Sequence, residues 1–376
     1  MPSPCVIFGG PSLEHDVSIL TGLQAARVLS RGGTEPTVLY WSESNDWFRV
    51  PAGLEASAFL DGVPSQARPV SLELGGSEPG FYEPRSLGRR ARVDIQAAII
   101  CCHGGPGEDG RLQATLDLAR IAYTGPNAAC AGLTMDKLVF GGVMAAGGLP
   151  VLPRLACGPS APEPPFPGPY IVKPRYGGSS IGIEIVGDIG TARDLAKSSP
   201  YLGRGAVLEP YRPGAKDLYI AIRTYPELQL SLIERPRSGG GDTKIYGYQE
   251  KYLQQRGAES RASEIPAQLP DEAAKRLRIA AEEIAELTRL TGNARLDFLW
   301  NGSDLWVNEL NSIPGALAFR LWAESGVSHE QLLSDMLAEA VAIRSTSSDL
   351  DPADRQAASR KMQTLQSAGR IAQKLT

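Results

Sequence analysis

Short apolar runs separated by glycine-rich turns dominate the first third of the chain. Residues 4–10, 37–41 and 93–102 are each an apolar stretch of strand length, which is typical of strands buried on both faces. An amphipathic segment follows the first stretch, with Ser12 as its expected helix cap. Glu14 then lies in the first turn, where a negative charge suits the positive end of the helix dipole. The alternation of strand, helix and strand predicts a parallel α/β layer.

Other patterns occupy the rest of the chain. Residues 61–92 are rich in Gly, Pro, Ser and Arg, which predicts an insertion or a long loop. A clear apolar strand is expected at 170–174. Helical spacing of apolar residues predicts helices over 271–290 and about 328–344.

The segment 295–311 alternates polar and apolar residues on both sides of a turn sequence, Asn-Gly-Ser-Asp. This pattern predicts two short strands in a hairpin. Side chains two residues apart share one face of a strand. We therefore expect Leu299 to face Val307 and Asp297 to face Glu309 across the hairpin.

The same register places Arg295 opposite Asn311, so the polar face of the hairpin carries two acids, an amide and a guanidinium. Like charges directly across a ladder destabilise it, and a divalent cation between them would reverse that effect. Hard cations such as Mg²⁺ take carboxylate, amide and phosphate oxygens as ligands. From the residues alone, a solvated hairpin and a metal site both remain open.

Composition narrows the function classes. The chain has 376 residues, 42% of them hydrophobic and 21% charged, with a formal net charge of -4. There is no basic stripe with interleaved aromatic residues, so we expect no nucleic-acid partner. No apolar run approaches membrane-spanning length and the N-terminus does not have a signal-peptide pattern, so we expect no membrane partner and a cytoplasmic location. Five cysteines without a CxxC pair favour reduced thiols over disulfides or a zinc site.

Two glycine-rich turns are candidates for ligand binding. The run YIVKPRYGGSSIGI, residues 170–183, places Lys173 at the end of a strand and before paired glycines and serines. Backbone N–H groups of such a loop can approach a phosphate closely, although a plain hairpin with a glycine turn would look similar. The second turn, HGGPGEDG at 103–110, follows a predicted parallel strand, where α/β proteins bind ligands. It could equally be a turn that leads into a capped helix.

Six segments, taken together and in this order, resemble the D-alanine–D-alanine ligase family of ATP-grasp enzymes. They are FGGPSLEHDVS (8–18), HGGPGEDGRLQ (103–113), YTGPNAACAGLTMDK (123–137), VKPRYGGSSIG (172–182), EKYL (250–253) and RLDFLWNGSDLWVNELNSIPG (295–315).

The resemblance implies the fold and its division. The expected fold class is α/β, with α+β character in the C-terminal part. It consists of an ATP-grasp fold preceded by a Rossmann-like, pre-ATP-grasp domain. The implied parts are an N-terminal α/β domain on the first-substrate side, a central ATP-grasp subdomain with the phosphate loop, a C-terminal ATP-grasp subdomain with the metal ligands and lid, and a polar tail, at residues 1–136, 137–208, 209–345 and 346–376. Oligomeric state cannot be derived from the sequence, and the family habit suggests a homodimer.

The resemblance also implies ATP and Mg²⁺ as cofactors. Asp297, Glu309 and Asn311 would hold two Mg²⁺ ions, with Mn²⁺ as a possible replacement, against the ATP phosphates. Lys137 and Lys173 would bind those phosphates. The implied ATP-binding residues are Lys137, Lys173, Ser180, Glu209, Tyr211, Arg212, Asp217 and Lys251.

The implied reaction converts a carboxylate into an acyl phosphate, which the amine of a second amino acid then attacks. Glu14 would receive the ammonium of the first amino acid, and His103 would lie by its carboxylate. The implied catalytic residues are Glu14, Ser179, Tyr252, Arg295 and Gly315. Arg295 and the backbone of Gly315 would stabilise the oxyanion. The glycine-rich loop and residues 237–252 would close as lids.

One position departs from the family pattern. In the family, the segment that follows the magnesium-binding asparagine (Asn311 here) contains a serine that helps to hold the carboxylate of the second substrate. This sequence has Arg320 at the position of that serine. Arginine could pair with a carboxylate in a bidentate manner, or it could turn outward. The resemblance thus predicts D-alanyl-D-alanine synthesis for peptidoglycan, with a paralogue that joins other amino acids as the alternative. A catalytically silent nucleotide-binding regulator is the remaining hypothesis, and the full set of metal and lysine residues argues against it.

Overall fold

The computed structural model describes residues 3–236 and 263–347, together with residue 360. The strands are β1 Ser3–Gly9, β2 Thr37–Trp41, β3 Trp47–Val50, β4 Arg68–Glu73, β5 Gly80–Pro84, β6 Arg90–Arg92, β7 Ile95–Ile100, β8 Ala122–Tyr123, β9 Leu155–Cys157, β10 Tyr170–Pro174, β11 Glu184–Val186, β12 Ala206–Pro210, β13 Lys216–Arg223, β14 Gln229–Leu230, β15 Asn293–Trp300 and β16 Leu305–Asn311. The α-helices are α1 His15–Arg31, α2 Gly105–Glu108, α3 Arg111–Leu118, α4 Ala128–Met135, α5 Lys137–Ala146, α6 Ile189–Ser198, α7 Asp271–Thr288, α8 Phe319–Glu324 and α9 His329–Ser347.

The first sheet has the order β6-β5-β4-β3-β2-β1-β7-β8. Strands β2, β1, β7 and β8 are parallel, which confirms the predicted parallel layer. The prediction of a long loop at 61–92 was wrong, because β4, β5 and β6 extend the sheet there as antiparallel strands. The Gly and Pro residues mark turns between these short strands. Phe81 explains why they fold, since it is fully buried and packs edge-on against Trp47.

Helix α1 begins later than its sequence suggests. We expected Ser12 to cap the helix, but the helix starts at His15 and Glu14 occupies the cap position without capping it through its side chain. The Ser12 hydroxyl instead accepts a hydrogen bond from the Glu14 N–H at 3.1 Å. The three residues before the helix, 12–14, therefore form a tight turn, and the Glu14 carboxylate points away from the helix end toward Ser179.

Two four-stranded antiparallel sheets enclose a cleft. Their orders are β11-β10-β12-β9 and β14-β13-β15-β16. In the first of these sheets, the buried side chains of Val172 and Leu208 pack on the side of α6. Lys173 and Glu209 are one residue further along their strands, so the pleat turns them to the opposite face. That face borders the cleft, which explains how charged side chains come to lie between two apolar cores.

The hairpin of β15 and β16 confirms the central part of the predicted register. Asp297 pairs with Glu309, and Arg295 pairs with Asn311. The predicted pairing of Leu299 with Val307 was wrong, because a bulge inserts Asn308 and shifts the remaining pairs by one residue. Val307 pairs with Phe298 instead, and both are buried in the apolar core. A bulge of this kind re-aims side chains, and here it lets the consecutive residues Asn308 and Glu309 both border the cleft.

Within the described ranges, no single helix has the length and apolar composition needed to cross a bilayer. One bent helix pair, Ala128–Met135 with Lys137–Ala146, meets the criteria only when the two are counted together.

Candidate active site

Two cavities meet at the edge of the cleft. The larger has a volume of about 200 Å³ and lies between the two four-stranded sheets. The smaller has a volume of about 40 Å³ and lies between the loop before α1, the turn after β7 and the end of β16. Lys137, Gly177, Gly178 and Glu309 border both. A molecule in one cavity would therefore touch the same lysine and acid as a molecule in the other.

A buried ion pair forms one wall of the larger cavity. The Nζ atom of Lys173 lies 2.7 Å from Oε1 of Glu209, and both side chains are almost fully buried. Burial lowers the pKa of Lys173 to about 8, although Glu209 acts in the opposite direction. Burial alone would raise the pKa of Glu209, but Lys173 and Arg154 outweigh it and hold that pKa below its usual value. The wall thus carries a carboxylate that stays ionised and a lysine whose pKa would rise if a negative charge bound beside it.

Lys137 occupies the junction of the two cavities. It is the first residue of α5, and Asp136 caps that helix by accepting from the N–H groups of Leu138 and Val139. The Lys137 ammonium lies 3.4 Å from Oε2 of Glu309, which is on the sheet that faces Glu209. It also donates a hydrogen bond to the carbonyl of Gly177. The lysine therefore connects the hairpin with the glycine-rich loop.

The glycine- and serine-rich loop takes an uncommon backbone path. Ser179 and Ser180 have φ angles of 53° and 57°, a region that residues other than glycine rarely adopt. Such strain persists where the surrounding structure enforces it, and it is concentrated at functional sites. Ser180 borders the larger cavity, whereas Ser179 borders the smaller one. The hydroxyl of Ser179 donates to the carboxylate of Glu14.

The polar face of the hairpin lies between these features. Arg295 donates from Nε and Nη2 to the two carboxylate oxygens of Asp297 at 2.7 and 2.8 Å. Its guanidinium also stacks over the ring of Tyr219, 4.5 Å from the ring centroid. Glu309 is directly opposite Asp297 in the ladder. Arg295 is thereby fixed in one orientation, and the two carboxylates face each other.

These residues fit a divalent cation that binds oxygen. No group of three His, Cys, Asp or Glu side chains is arranged to hold a metal in the part of the chain that the structure describes. The hairpin offers two facing carboxylates and one amide. The Asn311 Nδ2 is buried without a hydrogen-bond acceptor among the described residues, so this amide can turn its oxygen toward a cation. Mg²⁺ is usually held by one or two carboxylates and completed by water and phosphate, which suits this donor set.

Four of the residues predicted to bind substrate border the smaller cavity, namely Glu14, His103, Arg295 and Gly315. Burial lowers the pKa of His103 to about 4, so its imidazole is neutral at neutral pH. The ring Nε2 lies 2.8 Å from the hydroxyl of Thr21. His103 therefore provides hydrogen bonding and shape, but no positive charge.

Sequence reasoning missed Glu108, a buried acid of the smaller cavity. Its carboxylate accepts from the N–H of Gly104 at 2.8 Å and from the N–H of Ile313 at 3.3 Å. Burial and the nearby charge of Glu14 raise its pKa to about 8. An acid inside the glycine-rich turn after a parallel strand was the available signal. Asn308 was also missed, because only the bulge turns it into the cleft.

A left-handed turn closes the smaller cavity after Gly315. Ala316, Leu317 and Ala318 have φ angles of 47°, 49° and 54°. The N–H of Ala316 donates to the hydroxyl of Thr21 at 3.2 Å. The side-chain amide of Asn293 donates to the carbonyl of Leu317 at 2.8 Å. Hydrogen bonds from two different parts of the chain thus hold this strained turn.

The remaining predicted residues divide into three groups. Tyr211, Arg212 and Asp217 border the larger cavity. Arg320 is not brought together with the other predicted residues. It is exposed, and its guanidinium contacts Glu234 and Ser263, which is the outward arrangement of the two that the sequence left open. The predicted residues Lys251 and Tyr252, and the whole of the predicted lid at 237–252, lie outside the described residues.

Comparison with known proteins gives consistent matches. The model of the D-ala D-ala ligase N-terminus matches residues 4–126, and that of the D-ala D-ala ligase C-terminus matches residues 165–338. D-alanine–D-alanine ligase B of Bradyrhizobium diazoefficiens is 30% identical over 364 residues, which cover 90% of this chain and 92% of the relative. D-alanine–D-alanine ligase of Pelodictyon phaeoclathratiforme is 30% identical over 354 residues, with 88% and 96% covered.

Solved structures show the same architecture. The D-alanine–D-alanine ligase of Coxiella burnetii has a TM-score of 0.73 at 20% identity, with 97% of this chain and 100% of that chain covered. The VanG D-Ala:D-Ser ligase of Enterococcus faecalis has a TM-score of 0.70 at 23% identity, with 90% and 99% covered. These likenesses confirm the predicted α/β, ATP-grasp fold class.

Proposed function

Because the chain belongs to the D-alanine–D-alanine ligase family of ATP-dependent ligases, we propose that it joins two molecules of D-alanine into D-alanyl-D-alanine. The product would serve the synthesis of peptidoglycan precursors. The observation that carries the proposal is the junction of the two cavities. Lys137 and Glu309 border both of them, so a phosphate in one cavity and a carboxylate in the other would meet at one lysine and one metal ligand.

In this proposal the larger cavity takes ATP. Lys137, Lys173 and the loop at Ser180 would bind the phosphates, since a lysine ammonium and backbone N–H groups both attract anions. Glu209 would accept from the amino group of adenine, which its ionised state allows. Tyr211, Arg212 and Asp217 would contact the rest of the nucleoside. Lys251 is proposed as a further phosphate ligand from the family resemblance alone.

Asp297, Glu309 and Asn311 would hold Mg²⁺, with two ions as the proposed number and Mn²⁺ as a possible replacement. The bound cations would neutralise charge on the phosphates during transfer. The protein itself fixes the ligands, because Arg295 locks Asp297 in place and the ladder sets Glu309 opposite to it.

The smaller cavity would take the first amino acid. Glu14 carries the charge that an ammonium group needs, and Ser179 holds its carboxylate in position. We propose Tyr252 as a third member of this group. Because His103 is neutral, it would contribute a hydrogen bond to the substrate carboxylate and not an ion pair. The substrate carboxylate would thus lie toward Lys137 and the phosphates.

The residues then suggest the order of steps. A carboxylate oxygen of the first amino acid attacks the γ-phosphorus of ATP, and the bond to the β-phosphate oxygen breaks, which gives an acyl phosphate and ADP. The free amine of the second amino acid attacks the carbonyl carbon, and phosphate leaves with its bonding electron pair. Arg295 and the N–H of Gly315 would stabilise the negative oxygen between these events. The amine loses its proton as the peptide bond forms.

The alternative of a paralogue that joins other amino acids is not favoured, because the family models and the relatives that match most of the chain are those of D-alanine–D-alanine ligases. Of the two features expected to distinguish a paralogue, Arg320 lies against Glu234 and Ser263, and the EKYL segment (250–253) lies outside the described residues. Arg320 remains a proposed substrate contact only if the side chain reorients when substrate binds.

The remaining expectations are proposals of the same standing. We propose an N-terminal domain (1–136), a central subdomain (137–208) and a C-terminal subdomain (209–345). The first and third sheets support this division, whereas β12 (Ala206–Pro210) of the second sheet crosses the proposed boundary after residue 208. The proposed tail at 346–376 falls almost entirely outside the described residues. We propose a cytoplasmic homodimer whose partners are amino acids and ATP, with no nucleic-acid or membrane partner.

The test is ATP-dependent phosphate release by the purified protein with Mg²⁺, across single amino acids and pairs, with products identified by mass spectrometry. The expected result is release with D-alanine alone and formation of D-alanyl-D-alanine. L-Alanine at the same concentration is the matched control. Turnover with another pair but none with D-alanine would refute the proposed substrate, and no turnover with any pair would refute the ligase activity.

A further inference from the structure

Arg154 is a buried arginine that the reaction described above does not use. It lies between α5 and β9, and its side chain is only 3% exposed. It is not among the described residues that border either cavity. A guanidinium is seldom buried without a partner, because its desolvation is costly. What it contacts is therefore informative.

The guanidinium reaches three separate segments. Its Nη1 donates to the carbonyl of Lys137 at 2.8 Å, and its Nη2 donates to the carbonyl of Asn308. Its Nε lies 2.7 Å from Oε1 of Glu209. The last approach is not along the N–H direction, so it is an ionic contact and not a directed hydrogen bond. All three contacted residues border the larger cavity.

The surrounding sequence makes room for this side chain. Gly141 is in the middle of α5, where glycine costs about 1 kcal/mol relative to alanine. A Cβ atom at Gly141 would collide with Cδ of Arg154. The ring of Phe140 lies beside the guanidinium, with 6.0 Å between its centroid and the guanidinium carbon. Helix α5 thus tolerates a weak helix former where Arg154 passes.

We propose that Arg154 is a positioning residue for the nucleotide half of the site, which it organises from behind by fixing Lys137, Glu209 and the β16 bulge relative to one another. The inference rests on the proposed function in one respect, namely that the larger cavity takes ATP.

The contacts explain how one side chain can act on three others. A planar guanidinium has five N–H donors in a fixed geometry, so the directions of its contacts are coupled. The carbonyl of Lys137 sets where α5 begins, and the carbonyl of Asn308 sets the bulge that turns Asn308 into the cleft. The charge of Arg154 also lets Glu209 stay ionised beside Lys173. Lysine at this position could keep the charge but not all three contacts.

A purely structural role would give a different result from a positioning role. Arg223 is the matched control, because it is also largely buried, with contacts to Gln229 and Asp335 at 2.7 Å and to the ring of Trp322. It is not among the described residues that border either cavity. Loss of either arginine should lower thermal stability, but only Arg154 touches the proposed nucleotide ligands.

The experiment measures the Kd of ATP and of ADP, each with Mg²⁺, by calorimetry on the full-length wild type, Arg154→Lys, Arg154→Met and Arg223→Met. Loss of charge-assisted hydrogen bonds of this kind should weaken nucleotide binding about tenfold to one hundredfold in Arg154→Met. Arg154→Lys should be intermediate. Arg223→Met should bind nucleotide as the wild type does. With D-alanine as substrate, the KM for the amino acid should change less than the KM for ATP in the Arg154 variants.

The pH dependence of nucleotide affinity is a further measurement, and a loss of packing alone would not change it. The charged groups that face Lys173 are Glu209 on β12, Lys137 on α5 and Arg154, and the Asn308 amide lies 3.4 Å away. Because Arg154 lowers the pKa of Lys173, its removal should raise that pKa. Nucleotide affinity of the wild type should fall as the pH rises through about 8. In Arg154→Met this fall should occur at higher pH.

Each outcome decides the proposal. Weaker nucleotide binding in both Arg154 variants, together with unchanged binding in Arg223→Met, would support it. Equal binding by Arg154→Met and Arg223→Met would overturn it, and if Arg154→Met did not fold, unchanged binding by Arg154→Lys would overturn it instead. A wild type that binds no nucleotide would overturn the proposed function as well, which distinguishes the two failures.

Discussion

Glu309→Gln is the most direct test of the proposed metal site. The change keeps the size of the side chain and removes its charge. In the structure Glu309 faces Asp297 across the ladder, and its Oε2 lies 3.4 Å from the ammonium of Lys137. Two opposing effects on folding are therefore expected when no ligand is bound.

Both effects on the unliganded protein are small. Removing one of two like charges that face each other in a sheet should stabilise it by about 0.2–1 kcal/mol. Losing the ion pair with Lys137, which is neither fully buried nor exposed, should cost up to about 1 kcal/mol. The free energy of unfolding should consequently change by less than about 1 kcal/mol, and the variant should fold.

The liganded protein should behave differently. A ligand at one hundred times its Kd stabilises the folded state by about 2.7 kcal/mol. For domains of this size class, 1 kcal/mol corresponds to roughly 2–4 °C in Tm, so ATP with Mg²⁺ should raise the wild-type Tm by about 5–10 °C. Glu309→Gln should lose most of this shift. Because a bound cation contributes several kcal/mol to the transition state, the rate of ligation should fall about a thousandfold or more.

The assay is thermal unfolding with and without ATP and Mg²⁺, followed by phosphate release under the same conditions. Glu283→Gln, on the exposed side of α7, is the matched control, and it should show the full wild-type shift and rate. A folded Glu309→Gln protein with wild-type activity and a wild-type thermal shift would refute the metal assignment.

Two further predictions concern buried polar groups. The pKa of Glu108 is raised to about 8, so the folded protein keeps a proton that the unfolded chain releases at lower pH. Its contribution to stability is complete below the ordinary glutamate pKa and is lost as the pH rises toward 8, by on the order of 2–5 kcal/mol. Glu108→Gln should remove this dependence in urea unfolding between pH 5 and pH 8.5, and an unchanged pH dependence would contradict the argument. Asn293→Ala removes the partner of the Leu317 carbonyl at 2.8 Å and of the Trp322 Nε1 at 2.7 Å. Because two buried polar groups lose their partner, the free energy of unfolding should fall by about 2–5 kcal/mol, and a loss below 1 kcal/mol in urea titration would count against this.

Local pattern alone determined several parts of this protein. Period-two alternation and the turn residues predicted the hairpin and placed Asp297 opposite Glu309, because the alternation requires these side chains to share one face. The bulge, which lies nearer the turn, was not predicted. Apolar runs predicted the parallel layer. These predictions needed no information about distant parts of the chain, and the structure confirmed them.

Reasoning from local pattern failed at residues 61–92, where turns and short strands have a similar composition. Residues 61–92 look like a loop because Gly, Pro and Ser are frequent there. The strands between those turns are short, and they exist because Phe81 finds an apolar partner in Trp47, more than thirty positions earlier in the chain.

Burial and distant partners decided the rest. The pKa of Glu108 is raised to about 8 because folding buries the carboxyl and brings the charge of Glu14 near it, although the N–H of Ile313 acts in the opposite direction. The neutrality of His103 and the outward position of Arg320 also follow from surroundings that no local pattern encodes. Arg154 looks like an ordinary loop residue in the sequence, and only folding brings Lys137, Glu209 and Asn308 around it. The sequence by itself therefore determined which chemical groups are available, the parallel layer, and the face that Asp297 and Glu309 share in the hairpin. The tertiary structure decided their charge states and directions, because desolvation and electrostatic interaction depend on which groups become neighbours in space.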